Sequence, residues 1–206
     1  MSCDELLFAG VSDLSRFREA VRRFDELNSA DPHQEIMDGQ PRPRELANAE
    51  RLSAWVVTLA PDASEPLRLA SRCQHLCRWM IPRDRYEMTR AGYHQWRNEL
   101  KRFHAEKSSE VLRTVGYDEE MIGRVRDLNL KKNFPAEPES RVLEDALCLV
   151  FLQFQFAELA AKTEPDKVIN ALQKSWKKMT ALGHEHALKL KYAPRERELL
   201  ARALGA

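Results

Sequence analysis

Apolar residues recur at helical spacing along most of the chain. Leu14, Phe17, Val21 and Phe24 repeat at three and four, the period of one helix face, with Ser12 or Asp13 placed to cap it. A polar connector with Pro32, Gly39, Pro41 and Pro43 follows and reads as loop. The pattern then predicts a second helix from about Arg44 to Leu59, stopped by Pro61, and a third from Ser64-Glu65-Pro66 to Pro82. A long fourth helix runs from about Thr89 to Val115, with Gly116 closing it. Asp118 caps a fifth, carrying Met121, Ile122, Val125 and Leu128. After a loop from Asn133 to Pro138 comes a sixth, Ser140 to about Lys162. Glu164-Pro165 opens a seventh with Val168, Leu172 and Trp176. Gly183 and Pro194 punctuate two short C-terminal helices. No segment reads as a strand. The expected fold is a single compact all-α domain over the whole chain.

Polar residues on these apolar faces carry the chemistry. On the sixth helix Asp145 shares a face with Leu149, Leu152 and Phe156, and Glu144 lies above Cys148, Phe151 and Gln155. A buried carboxylate needs a cation, a metal or a proton. On the third helix, Arg72, His75 and Trp79 form a stripe beside the apolar one of Leu69, Cys73, Leu76 and Met80. On the fourth, Arg97 and His104 interrupt a side made by Tyr93, Leu100, Lys107 and Val111. On the second, Glu50 stands beside Leu46, Ala54 and Val57. Four helices thus each place an acid or a histidine inward, and imidazoles and carboxylates are ligands for zinc, iron or manganese.

Composition narrows the options. The chain has 206 residues, 43% of them hydrophobic, which is too apolar for strong disorder. Only 7 are glycine, and neither a dinucleotide fingerprint nor a P-loop occurs. The N-terminus lacks the positive start of a signal peptide, and the longest apolar run, Ala146 to Leu152, is far short of a membrane span. A cytoplasmic protein with no membrane partner is expected. Cys3, Cys73, Cys77 and Cys148 then read as small buried thiols. The formal net charge is +1, but it is unevenly spread: ten basic residues face four acids between Leu67 and Lys107. That basic half suits an anionic ligand, and arginine matches phosphate with paired donors.

The order Glu50-Arg51-Leu52-Ser53, Gln74-His75, His104-Ala105-Glu106-Lys107 and Leu143-Glu144-Asp145-Ala146 resembles the HD-domain superfamily over about Glu45 to Lys162. That superfamily binds divalent metals and mostly hydrolyses phosphoesters. On its pattern Glu50 falls at the first histidine, Gln74-His75 at the His-Asp pair and Asp145 at the last aspartate. More closely, the chain resembles an uncharacterised family, domain of unknown function 4202. The matching strings include Gln74-His75-Leu76-Cys77-Arg78-Trp79, Tyr93-His94-Gln95-Trp96-Arg97 and Lys174-Ser175-Trp176-Lys177-Lys178-Met179.

The resemblance implies a metal-dependent phosphohydrolase acting on a nucleotide or other small phosphoester. Glu50, His75 and Asp145 would hold manganese, iron, zinc or magnesium. A metal there would lower the pKa of its bound water and supply hydroxide. His104 or Glu144 would move protons. Arg78, Arg83, Arg97 and Lys107 would hold the phosphate. Two other readings follow from the same residues. One is a non-catalytic nucleotide- or RNA-binding module, in which Glu50 and Gln74 replace metal-binding histidines. The other is oxygen chemistry at a di-iron site.

Overall fold

A computed structural model describes residues 7–37 and 39–205. The fold is all-α, with one two-stranded hairpin. Contacts group the chain into two compact units that divide between Ser140 and Arg141.

The first unit begins with α1 (Leu14–Ser29), capped by Asp13, whose carboxylate accepts the Arg16 amide. The connector expected as loop forms an antiparallel hairpin, β1 (Gln34–Met37) and β2 (Gln40–Pro43), turning at Gly39 with φ +78°. Its strands hold only exposed and half-buried positions, so no apolar alternation marks them in the sequence. An ion pair from Arg51 to Glu35, at 2.6 Å, links β1 to the next helix. That helix is α2 (Arg44–Leu59).

Next come α3 (Glu65–Cys73), α4 (Arg90–Val115) and α5 (Glu119–Leu130). Ser64, Thr89 and Asp118 cap them, and Gly116 ends α4 at φ +91°. The third helix stops well before Pro82. Cys77 takes φ +55°, and two single 3-10 turns follow, Arg78–Met80 and Arg83–Arg85. A non-glycine residue there costs on the order of 1 kcal/mol. The buried Asn28 of α1 supports it, its Oδ1 accepting the Cys77 amide at 3.1 Å. The core of this unit is built from Phe17, Phe24, Val56, Leu67, Leu112 and Ile122.

The expected sixth helix is α6 (Pro138–Val150) running into one π turn (Phe151–Gln155) and then α7 (Phe156–Lys162). In the second unit α8 (Pro165–Lys178), α9 (Ala181–Lys189) and α10 (Pro194–Leu204) follow, around Leu143, Leu149, Phe156, Val168 and Leu199. Gly183 does not punctuate: it lies inside the first turn of α9. Cys73, Cys77 and Cys148 are buried free thiols, while Cys3 lies outside the described residues. No helix among the described residues is long and apolar enough to cross a membrane.

Candidate functional site

The break after Cys73 decides where the chemistry goes. The helix ends at Cys73, turn bonds carry the chain over residues 74–77, and Cys77 is left-handed, so His75 lies in a turn and Arg78 leaves the stripe that helical spacing assigns it. They meet instead the face of α4 that carries Trp96, Arg97, Leu100 and His104. The His75 and His104 rings lie 5.8 Å apart at 60°. Arg78 stands over the Trp96 ring at 5.0 Å, and the Trp96 indole donates to the Ile81 carbonyl. Arg97 is half-buried, with no ion-pair partner among the described residues.

Electrostatics follow from that packing. Burial holds His75 well below the ordinary imidazole range, and the charges of Arg78, Arg97 and Lys131 press the same way. Burial lowers His104 to about 4; its bond to the Leu76 carbonyl opposes this, while Arg78 and Arg97 add to it. Both imidazoles are therefore neutral near pH 7. His104 is 3% exposed, and its Nδ1 sits 2.8 Å from the Leu76 carbonyl oxygen. A carbonyl only accepts, so Nδ1 carries the proton, and the neutral Nε2 is a lone pair. That Nε2 is buried with no partner among the described residues.

One more group belongs to the cluster. Glu45, buried at the start of α2, approaches Arg78 at 3.9 Å. Burial raises its pKa to about 7, against the pull of Arg78 and with the push of Asp31. Sequence reasoning centred on Glu50 and missed Glu45. The signal was present in the buried series Glu45, Ala49, Leu52 and Val56, which Glu45 heads at helical spacing.

The other expected residues have partners of their own. The Glu50 carboxylate is paired with Arg42 and approached by Arg72, whose main partner is Asp25. Arg83 donates to the backbone carbonyls of Tyr86, Glu87 and Thr89 and so staples the loop into α4. Lys107 pairs with Glu110 and lines an open groove of about 400 Å³ between α1 and α4. In the second unit, Glu144 pairs with Lys178 at 3.1 Å. The two Asp145 oxygens accept the backbone amide and the hydroxyl of Thr180, the cap of α9. A side chain at Gly183 would place its Cβ 2.6 Å from the same carboxylate. Among the described residues, no three His, Cys, Asp or Glu side chains form a group able to hold a metal.

The structure thus brings together His75, His104, Arg78 and Arg97, four of the residues expected from sequence. The arrangement offers two guanidinium groups to an anion and two neutral imidazoles beside it. No curated protein and no solved structure matches the chain. A family model described as a domain of unknown function, DUF4202, matches residues 18–200. The match takes in His75, His104, Arg78 and Arg97 together with most of both units, and the chain belongs to the DUF4202 family.

Proposed function

We propose that this protein binds a phosphate-bearing small molecule, a nucleotide or another small phosphoester, at the cluster of His75, His104, Arg78 and Arg97, without needing a metal to do so. One observation carries the reading: Arg78 and Arg97 both lie close enough to act on His75 and His104, two imidazoles that burial above all keeps neutral. Two like charges held close at a half-buried site favour an anion between them. Phosphate accepts paired donors from arginine, and each charge-assisted bond contributes roughly 1.5–3 kcal/mol. Neutral imidazoles beside them add no further positive charge, and the open His104 Nε2 is an acceptor for a donor on the ligand. Buried free thiols at Cys73, Cys77 and Cys148 support a reducing, cytoplasmic setting.

Titration calorimetry with pyrophosphate tests this on wild type and Arg97→Ala. Arg97 holds no ion pair among the described residues, so its loss leaves the fold in place. Affinity should fall by roughly tenfold or more. Equal affinity for the two proteins would remove the site.

A metal-dependent hydrolytic reading has one observation in its favour. His104 donates from Nδ1 to a backbone carbonyl and leaves Nε2 without a partner, as ligating imidazoles commonly do. Elemental analysis of purified protein separates the readings. Stoichiometric manganese, iron, zinc or magnesium, with phosphatase activity, would favour hydrolysis. Two irons per chain would favour oxygen chemistry instead.

A further inference from the structure

The polar atoms beneath the cluster are unbalanced. Of the buried side-chain atoms in the first unit that have no hydrogen-bond partner among the described residues, three belong to side chains linked through Cys73, Leu76 and Ser108: His104 Nε2, Gln74 Oε1 and Asn129 Oδ1. All three are acceptors. The Gln74 amide nitrogen reaches the Asn129 carbonyl at 3.5 Å, which leaves its oxygen as the open atom. The Asn129 amide nitrogen is used on Ser108 Oγ at 3.2 Å and on the Cys73 sulfur at 3.4 Å, which leaves its oxygen open too. His104 Nδ1 faces a carbonyl and must carry its ring's proton. A second proton on that ring would put a further positive charge beside Arg78 and Arg97 in a buried setting.

These atoms are close in the fold. Gln74 precedes His75, whose ring neighbours His104. Asn129 bonds Ser108, one helical turn beyond His104 on α4. Gln74, His104 and Asn129 are each at most 4% exposed. A buried acceptor without a donor costs about 1–3 kcal/mol, so three in one region is a large debt for a purely structural core. His75, Arg78 and Arg97 of the same cluster are half-buried and so reach solvent.

We infer that the ligand brings the missing donor: it is a phosphoester whose organic part carries a hydroxyl or amino group that reaches His104 Nε2, with the phosphate held at Arg78 and Arg97. The inference rests on the phosphate-binding reading above and narrows it. Inorganic phosphate and simple alkyl phosphates would satisfy the arginines and leave the acceptors unmet. A polyol phosphate or the sugar phosphate of a nucleotide would satisfy both.

Three probes with matched phosphate groups test this by calorimetry: methyl phosphate, glycerol 3-phosphate and ribose 5-phosphate. On wild type the two hydroxyl-bearing esters should bind about tenfold more tightly than methyl phosphate. In His104→Leu that preference, read as the ratio of the affinities within the variant, should collapse to about onefold. His104→Gln, which retains a side-chain acceptor, should restore part of it. Should the leucine variant fail to fold, the wild-type ratio and the glutamine variant still decide. Equal binding of all three esters by wild type would overturn the donor inference and leave phosphate binding standing. Preference unchanged in a folded His104→Leu would also overturn it. Absence of binding by all three, and by pyrophosphate, would overturn both readings.

Discussion

Each unit holds a polar cluster around a histidine, and the two clusters differ in how completely they are satisfied. In the second unit, His184 stacks on Trp176 at 4.1 Å and 6°, and its Nε2 meets the Trp176 carbonyl at 2.8 Å. Both Asp145 oxygens are taken by Thr180, whose hydroxyl in turn accepts the Gly183 amide. This is a helix start locked from three sides. In the first unit, His104 has one nitrogen engaged and one left over, and it sits among like-charged arginines. A closed network specifies structure, and an open one beside Arg97, which has no ion-pair partner among the described residues, is poised for a ligand. The sequence assigns Asp145 and His104 to one site; Asp145 finds its partner within its own unit, while His104 keeps an open acceptor.

The largest effect expected from this contrast is at Gly183. Gly183→Ala drives a Cβ into the Asp145 carboxylate, which cannot withdraw without releasing Thr180. The variant should lose about 3 kcal/mol in urea melts. Pyrophosphate affinity of the folded protein should not change, and a loss of affinity would tie this corner to the binding site.

The second effect appears in the pH dependence of stability. Glu45 has a folded pKa near 7, above its ordinary 4.5, so its contribution is complete below pH 4.5 and is lost as pH rises through 7. His104, lowered from 6.5 to about 4, contributes fully above pH 6.5 and loses that as pH falls through 4. Each is worth on the order of 3 kcal/mol, and they oppose one another between pH 4.5 and 6.5. His75, held low for the same reasons, adds to the acid side. Glu45→Gln removes one arm, so its melts should weaken more steeply than wild type between pH 6.5 and 4.5. Parallel pH profiles would show that Glu45 titrates normally. The same substitution releases Arg78 from its acidic neighbour and should tighten pyrophosphate binding severalfold.

Asp145→Asn comes next. It trades a carboxylate that accepts two bonds for an amide that can accept only one of them, at a cost of about 2 kcal/mol. Chemical melts should register this loss with phosphate binding intact. Abolished binding in a stable Asp145→Asn protein would instead return Asp145 to the ligand site. The smallest effect is at Glu50. Its pairing with Arg42 is partly exposed, and Glu50→Gln should cost under about 1 kcal/mol. A measured loss of bound metal in that variant would revive the metal-dependent reading.

Much of this was legible in the sequence because it rests on local rules. Asp13, Ser64, Thr89 and Asp118 are cap residues ahead of apolar periodicity, and each starts a helix where expected. The basic span from Leu67 to Lys107, with His75 and His104 on inward faces, marked the cluster. What escaped depends on contacts distant in the chain. The break at Cys77 is braced by Asn28, forty-nine residues earlier, and nothing near Cys77 announces it. Without that break Arg78 follows a helical stripe, and its place over Trp96 cannot be read. The hairpin at Gln34 to Pro43 lacks apolar alternation and carries prolines, so it reads as loop. Asp145 looked like a ligand because a carboxylate on an apolar face demands a partner. That partner is Thr180, thirty-five residues away.

The central claim is that His75 and His104 are neutral and form one phosphate site, while His184 is structural. Imidazole nitrogen-15 spectra at pH 7, with and without pyrophosphate, test it most directly. The account predicts that His104 appears as the neutral Nδ1–H tautomer, that the His75 and His104 signals shift together as pyrophosphate is added, and that His184 stays in place. A His104 that is protonated at pH 7, or pyrophosphate shifts that spare both His75 and His104, would contradict it.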